Sequence, residues 1–308
     1  MVERRQPGMD HALYPYSALP TRPALAWPGQ KRLAVWVVLH LEHWPLQSPT
    51  TAVRDGRFRG EFGNFFPDYR TFSTREYGNR GGIFRVLEVL DRHKVPVTVA
   101  ANAALRRRRP ELIEACLERG YEIAAHGDDA TRMISSRMST AEEEDYINQS
   151  LEDVRRVSGR SRVGWIGQDF GESTRTPQLL ARAGVDYLGD WPNDDQPYWL
   201  TVDPPLLSLP YHVEWDDATL MAQRQITAPR YSQFVAEAAD RMALESAPHD
   251  SLQRGRMMSL GLHPWVIGQP QRIRYLDRIL DDLCARQDLW FASAQEIADC
   301  YRAQSSAP

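Results

Sequence analysis

Positions Leu33–Leu41 (LAVWVVLHL) are apolar apart from His40 and rich in β-branched residues. Such a run predicts a strand covered on both faces. A rhythm of the same kind then continues to the C-terminus. Residues 82–93 (GIFRVLEVLDRH) carry apolar side chains at helical spacing, and Val97–Ala101 reads as a short strand. Pro110, a good first-turn residue, introduces a helix over Glu111–Arg119 that Gly120 ends. Tyr121–Ala125 is the next strand. Ser139-Thr140-Ala141-Glu142 forms a capping box that opens a helix over Thr140–Ser158, closed by Gly159. Strands are expected at Arg162–Ile166, Val185–Leu188, Leu206–Leu209, Arg256–Leu262 and Leu289–Phe291. Helices are expected at Thr176–Ala183, Tyr231–Glu245, Arg272–Arg286 and near Ala294–Arg302. Two stretches lack a period. Residues 1–30, rich in Pro, Tyr and Trp, read as an extended N-terminal arm, and residues 45–79 as a long loop. A loop of that length inside a compact domain is usually functional.

Strand and helix alternate about seven times, which predicts an α/β fold with a parallel sheet and helical crossovers. The expected architecture is an irregular parallel (β/α)7-type barrel, a single domain over residues 31–308. An open doubly wound sheet is the alternative. No GxGxxG or GxxxxGK[ST] follows any strand, which argues against a nucleotide site.

Composition narrows the partners. The chain has 308 residues, 42% of them hydrophobic, and a net charge of −4. That balance gives no drive toward nucleic acid or an anionic membrane. The run Arg106-Arg107-Arg108-Arg109 reads as a solvated helix start. Cys116, Cys284 and Cys300 are scattered, without metal-binding or disulfide spacing, and suit a reducing compartment. No signal-like apolar segment opens the chain, and no apolar stretch approaches the roughly 20 residues of a membrane helix. The expectation is a cytoplasmic protein with a small-molecule substrate; a second copy of the chain is an allowed partner.

In parallel barrels, chemistry gathers at the C-terminal ends of strands. The first strand ends in His40-Leu41-Glu42-His43, the third in His126-Gly127-Asp128-Asp129, the fifth in Gly189-Asp190-Trp191 and the seventh in His263-Pro264-Trp265. The fourth gives Trp165 and then Gly167-Gln168-Asp169. Each has a bland reading. His126 could be a turn histidine, His263 a packed one, Asp190 a turn cap, and Trp165, Trp191 and Trp265 rim packing. Glu42 is harder to dismiss, because a carboxylate after a buried strand is costly without purpose. His40 and His43 fall on opposite faces by alternation, so at least one is structural.

These segments resemble the polysaccharide deacetylase superfamily, the NodB-homology fold, and in particular the branch of metal-independent allantoinases and cyclic imide hydrolases. The resemblance rests on Trp27-Pro28-Gly29, Leu39-His40-Leu41-Glu42 and Arg75-Glu76-Tyr77-Gly78-Asn79-Arg80. It continues through Gly120–Gly127, Asp190-Trp191 with Asp194–Tyr198, and Gly261-Leu262-His263-Pro264-Trp265. It covers residues 27–300 and implies an irregular barrel of about seven strands. The metal-dependent members carry an acidic pair after strand one and two histidines four apart after strand three. Here the first reads Glu42-His43, and Ala130 stands four after His126. The family's Arg-x-Pro-Tyr loop is replaced by Gly164-Trp165-Ile166-Gly167. These departures favour a site without tightly bound zinc. Were a divalent metal present, Glu42, His43 and His126 would be its ligands.

The expected activity is hydrolysis of a carbon–nitrogen bond in a small cyclic or linear amide or ureide. Glu42 activates water, His263 donates to the leaving nitrogen, Asp190 holds His263, and His126 stabilises the oxyanion. Arg75, Glu76 and Tyr77, with Trp165, Trp191 and Trp265, would shape the substrate pocket, Arg75 binding a carboxylate or ureide carbonyl. The alternatives are an amino-sugar N-deacetylase, metal-dependent or not, and a non-catalytic carbohydrate-binding barrel.

Overall fold

The computed structural model describes residues 9–47, 67–247 and 254–307. The first eight residues of the expected arm and residues 48–66 of the expected loop lie outside the described residues. The central strand is β1 (Leu33–Leu41), buried at every position. It pairs in parallel with β2 (Val97–Ala101) on one side and on the other with β7 (Arg256–Leu262). β2 continues to β3 (Glu122–Ala125), and the start of β1 takes β8 (Leu289–Phe291), both in parallel.

The far side of the barrel is less regular. β4 (Tyr187–Leu188) and β6 (Leu206–Ser208) pair in parallel, and β5 (Tyr198–Leu200) joins β6 antiparallel. The expected strand over Arg162–Ile166 shrinks to Trp165, which bridges Ala125 on one side and Leu188 on the other. Between β6 and β7 no ladder forms among the described residues. The seam is closed by side chains instead: the His212 amide donates to Ser259 Oγ (2.6 Å), and the Ser259 amide to His212 Nδ1 (3.2 Å).

Helices cover the outside. α2 (Ile83–His93), α4 (Pro110–Glu118), α5 (Thr140–Ser158), α6 (Thr176–Arg182), α7 (Ala228–Glu245), α8 (Ile273–Cys284) and α9 (Ala294–Arg302) fall where the pattern places them. α5 carries the expected capping box at Ser139 and Glu142 and ends at Gly159 in the left-handed region. Two helices were not expected: α1 (Tyr69–Tyr77), inside the supposed loop, and α3 (Ala103–Arg108). Asp68 caps α1 by accepting from the Thr71 amide (3.0 Å), and a glycine-rich turn over Gly78–Gly82 leads straight into α2.

Strand alternation sorts β1 into two cores. Val35, Val37, Leu39 and Leu41 face the helices, whereas Ala34, Trp36 and Val38 fill the barrel with Ile166, Tyr187 and Tyr211. The arginine run departs from expectation. Arg106 is buried and ion-paired to Asp153 (2.7 Å), so its cation is a structural tie between α3 and α5 rather than a solvated charge.

Candidate active site

His40 and Glu42 continue the inward face of β1. The Glu42 side chain is 9% exposed, and three groups meet it. His126 Nε2 lies 3.4 Å from Oε1, Gln168 Nε2 donates to the same oxygen, and the Trp44 indole donates weakly to Oε2 (3.4 Å). The Asn79 amide donates to the Glu42 carbonyl (2.9 Å), tying the strand end to the glycine-rich turn. His126 follows β3, with Nδ1 2.6 Å from the Ile166 carbonyl. A carbonyl only accepts, so Nδ1 carries a proton. Burial pushes the Glu42 carboxyl up. The hydrogen bond and charge of His126, with the fields of His263 and His40, outweigh it and hold Glu42 below the usual carboxylate range.

The opposite bias acts on His263, at the end of β7. Its Nδ1 lies 2.6 Å from Asp217 Oδ1, and its amide donates to both Asp217 oxygens (3.0 and 2.9 Å). Asp216 Oδ2 is 3.8 Å from the same nitrogen. Burial disfavours the imidazolium, but the two aspartates raise His263 to about 9. Asp217 is itself raised by burial, to about 6, against the pull of His263. At neutral pH the pair is therefore aspartate and imidazolium, with Nε2 left without a protein partner among the described residues.

His40 joins the two clusters. Its ring stacks on His263 with centroids 4.3 Å apart and planes 6° from parallel, and meets His126 edge-on at 5.3 Å. Burial, then the charges of His263 and His126, hold its pKa well below the ordinary histidine value, so His40 is neutral. A small pocket opens here, lined by His40, Glu42, Trp44, Arg75, Pro264 and Trp265, with at most about 210 Å³ of empty space. Arg75 lies between two indoles, its guanidinium carbon 4.3 Å from the Trp44 ring centroid and 3.5 Å from that of Trp265. Trp265 is seated on the glycine-rich turn: a methyl group at Gly78 would fall 2.7 Å from the Trp265 nitrogen, and one at Gly82 would run into the Pro264 carbonyl oxygen.

Several expectations need correction. The carboxylate that holds His263 is Asp217, not Asp190. Asp190 accepts the Gly167 amide (2.5 Å) one layer behind His126, and burial raises its pKa to about 7. Arg75 faces the pocket, but its helical neighbours do not. Glu76 pairs with Arg109 (3.1 Å), and the Tyr77 hydroxyl accepts from Arg85 (2.7 Å). Of the three tryptophans, Trp265 lines the pocket. Trp165 is fully buried in the sheet, and Trp191 donates to Glu172 (2.7 Å) beside Tyr14 of the N-terminal segment.

Asp217 and Tyr211 were not picked out from the sequence, and Asn79 and Gln168 were quoted there without a role. Gln168 stood among the strand endings, and its neutral amide drew no notice beside the acids. Asp217 follows no strand, so the strand-end argument could not reach it.

The donor set does not fit the zinc site of the metal-dependent pattern. Glu42 and His126 face each other, but His43 is turned away. Its amide donates to Asn102 Oδ1 (3.1 Å), its carbonyl accepts from the Ala130 amide (3.1 Å), and its ring lies among Arg108, Glu76, Asp129 and Arg109. Two ligands fall short of the three or more a structural or catalytic zinc takes from protein. A second group, His40, Asp216 and His263, lies within ligand reach of one another. There His263 Nδ1 is already engaged by Asp217 at 2.6 Å, so this cluster too differs from the zinc site of the metal-dependent pattern.

A barrel with a carboxylate and an imidazolium on one rim defines a class of (β/α) proteins with acid–base side chains at the strand ends. Residues 69–188 match the family model described as polysaccharide deacetylase. Over that stretch the chain is similar to the family, and its fold is that of the barrel neighbours described below. It is 23% identical over 245 residues to a peptidoglycan deacetylase of Helicobacter pylori, covering 71% of this chain and 83% of that protein. A crystal structure from Pseudomonas aeruginosa PAO1 described as "probable Polysaccharide deacetylase" matches 96% of this chain and 100% of its own, with 26% identity and a TM-score of 0.81. Puue allantoinase matches 96% of this chain and 99% of its own, at 24% identity and the same TM-score of 0.81, a likeness of fold. Among the described residues no helix is long and apolar enough to cross a membrane.

Proposed function

We propose that this protein hydrolyses a carbon–nitrogen bond of a small cyclic or linear amide or ureide. Glu42 would activate water and His263 would protonate the leaving nitrogen. The observation that carries this reading is the pairing of opposite charge states on one pocket: Glu42 held ionised and His263 held protonated. Amide hydrolysis needs both at once, a proton acceptor for water and a donor for nitrogen. His126, facing Glu42 through Nε2, is the group assigned to stabilise the developing oxyanion. Ionised Glu42 both places the water and takes its proton as the new C–O bond forms.

The pocket supports a compact substrate. Its walls leave at most about 210 Å³ of empty space, open solvent included. Arg75, clamped by two indoles, presents a fixed cation suited to a carboxylate or a polarised carbonyl of that substrate. The family match over residues 69–188 and the Helicobacter pylori relative favour a second reading, N-deacetylation of an amino sugar. The small pocket and the donor set speak for the first.

The test is a hydrolysis screen of purified protein over cyclic imides, ureides and N-acetyl sugars, with metal analysis of the same sample. Turnover of imides or ureides by protein without stoichiometric metal supports the proposal. Turnover of N-acetyl sugars that depends on one bound zinc promotes the second reading.

A further inference from the structure

We propose that Tyr211 and Asp216 form a tautomer lock on His40, which keeps Nδ1 of His40 as a hydrogen-bond acceptor for the water at Glu42. The inference rests on the hydrolytic reading above and adds a positioning group to it.

The lock follows from donor and acceptor counting. The Tyr211 hydroxyl lies 2.7 Å from Asp216 Oδ2 and 2.8 Å from His40 Nε2. The other Asp216 oxygen accepts the Thr219 amide (2.9 Å), and Oδ2 itself lies 3.8 Å from His263 Nδ1. The carboxylate oxygen can only accept, and the single tyrosine proton goes to it. The remaining hydroxyl lone pair must then receive a proton from His40 Nε2. His40 is thereby the Nε2–H tautomer, and Nδ1 carries the lone pair. Nδ1 has no protein partner among the described residues, and His40 lines the pocket beside Glu42. It is the ring nitrogen left for water.

The barrel is shaped around this contact. Gly261 on β7 faces the tyrosine and the aspartate, and a methyl group there would run into both Tyr211 Oη and Asp216 Oδ2. The notch left by the missing side chain lets the two groups meet. All three members of the relay are buried, which excludes water as a competing partner. The face of His40 is fixed separately, by its stack on His263. One contact sets the ring plane and the other sets which nitrogen accepts. Neither role was visible in the sequence, where His40 and His43 were equivalent candidates.

The experiment combines spectroscopy with two isosteric variants. Imidazole nitrogen shifts of selectively labelled wild-type protein at neutral pH should show His40 as the Nε2–H tautomer, and Tyr211→Phe should lose that preference. An Nδ1–H tautomer, or an unchanged spectrum in Tyr211→Phe, overturns the lock. For turnover, His40→Asn retains an acceptor near the Nδ1 position, whereas His40→Gln retains a donor toward Tyr211. The proposal expects the Asn variant to keep about tenfold more kcat than the Gln variant, at equal fold content by circular dichroism. The reverse order means that His40 serves only to hold Tyr211. Wild-type protein with the expected tautomer but no hydrolysis of any screened amide removes the hydrolytic reading and leaves the lock standing.

Discussion

The two ends of the pocket use the same ingredients, a histidine and a carboxylate, to opposite effect. At Glu42 one carboxylate faces one histidine, and Gln168 adds a second donor. At His263 one histidine faces two carboxylates, Asp216 and Asp217. The first arrangement has an excess of donors and pulls the acid down. The second has an excess of acceptors and pulls the imidazole up. Stoichiometry of partners, rather than burial, decides the sign, because both ends are deeply buried and burial opposes charge at each. Identical residue types thus acquire opposite roles across a span that the His40 ring bridges.

The sharpest way to break the contrast is to neutralise either end. Glu42→Gln and His263→Ala should each lower kcat about 100-fold or more, the range expected of acid–base groups. The double variant should lose less than the product, since both residues serve one transition state. Steady-state kinetics with a melting curve on each preparation decides the point: near wild-type kcat in either variant removes that residue from the mechanism.

Next in size is the effect of the carboxylate behind His263. Asp217→Asn should cost about tenfold or more in kcat/KM and move the alkaline limb of the pH profile downward from about 9. That limb reports loss of the proton that His263 must donate, so activity falls as pH rises through it. Asp190→Asn should change kcat/KM by less than about threefold. An Asp190 variant more damaged than the Asp217 variant would restore the pairing first expected from the strand endings.

A smaller effect is expected from metal removal. Dialysis against chelator should leave activity within about twofold, because His43 and Ala130 leave Glu42 and His126 without further ligands. Loss on chelation, with recovery on adding zinc, would contradict this.

The smallest effect is on stability. His263 is raised from 6.5 to about 9 in the folded chain. Its contribution is complete below about pH 6.5, declines from there to about 9, and is absent above that. Wild-type melting temperature should therefore fall over this window relative to His263→Gln. Parallel curves for the two proteins would mean that the proton does not stabilise the fold.

Much of the barrel was legible because its signals are local. β1, β7 and β8 match the apolar runs residue for residue, and α5 is bounded by its own cap and glycine. What escaped was set by distant contacts. Trp165 makes its bridges as a single residue, and the three-residue β5 exists through pairing with β6. α1 has a weak apolar face and forms against the rim it helps build. The same division holds in the site. Glu42, His126 and His263 stand directly after strands and could be read there. Asp217 reaches His263 from 46 residues away along a path between β6 and α7, and no spacing rule predicts that approach.

The glycines beneath Trp265 bear on how such a pocket diversifies. The backbone of Trp265 packs on Gly78, and the Pro264 carbonyl on Gly82, with no side chain between. One added carbon at either place must displace the wall, and with it one face of the Arg75 clamp. Neither glycine touches Glu42 or His263. The backbone that would have to move is that of Pro264 and Trp265, directly after His263, and the same turn holds Glu42 through Asn79. Pocket wall and proton chemistry therefore share one support, and a side chain at either glycine disturbs both.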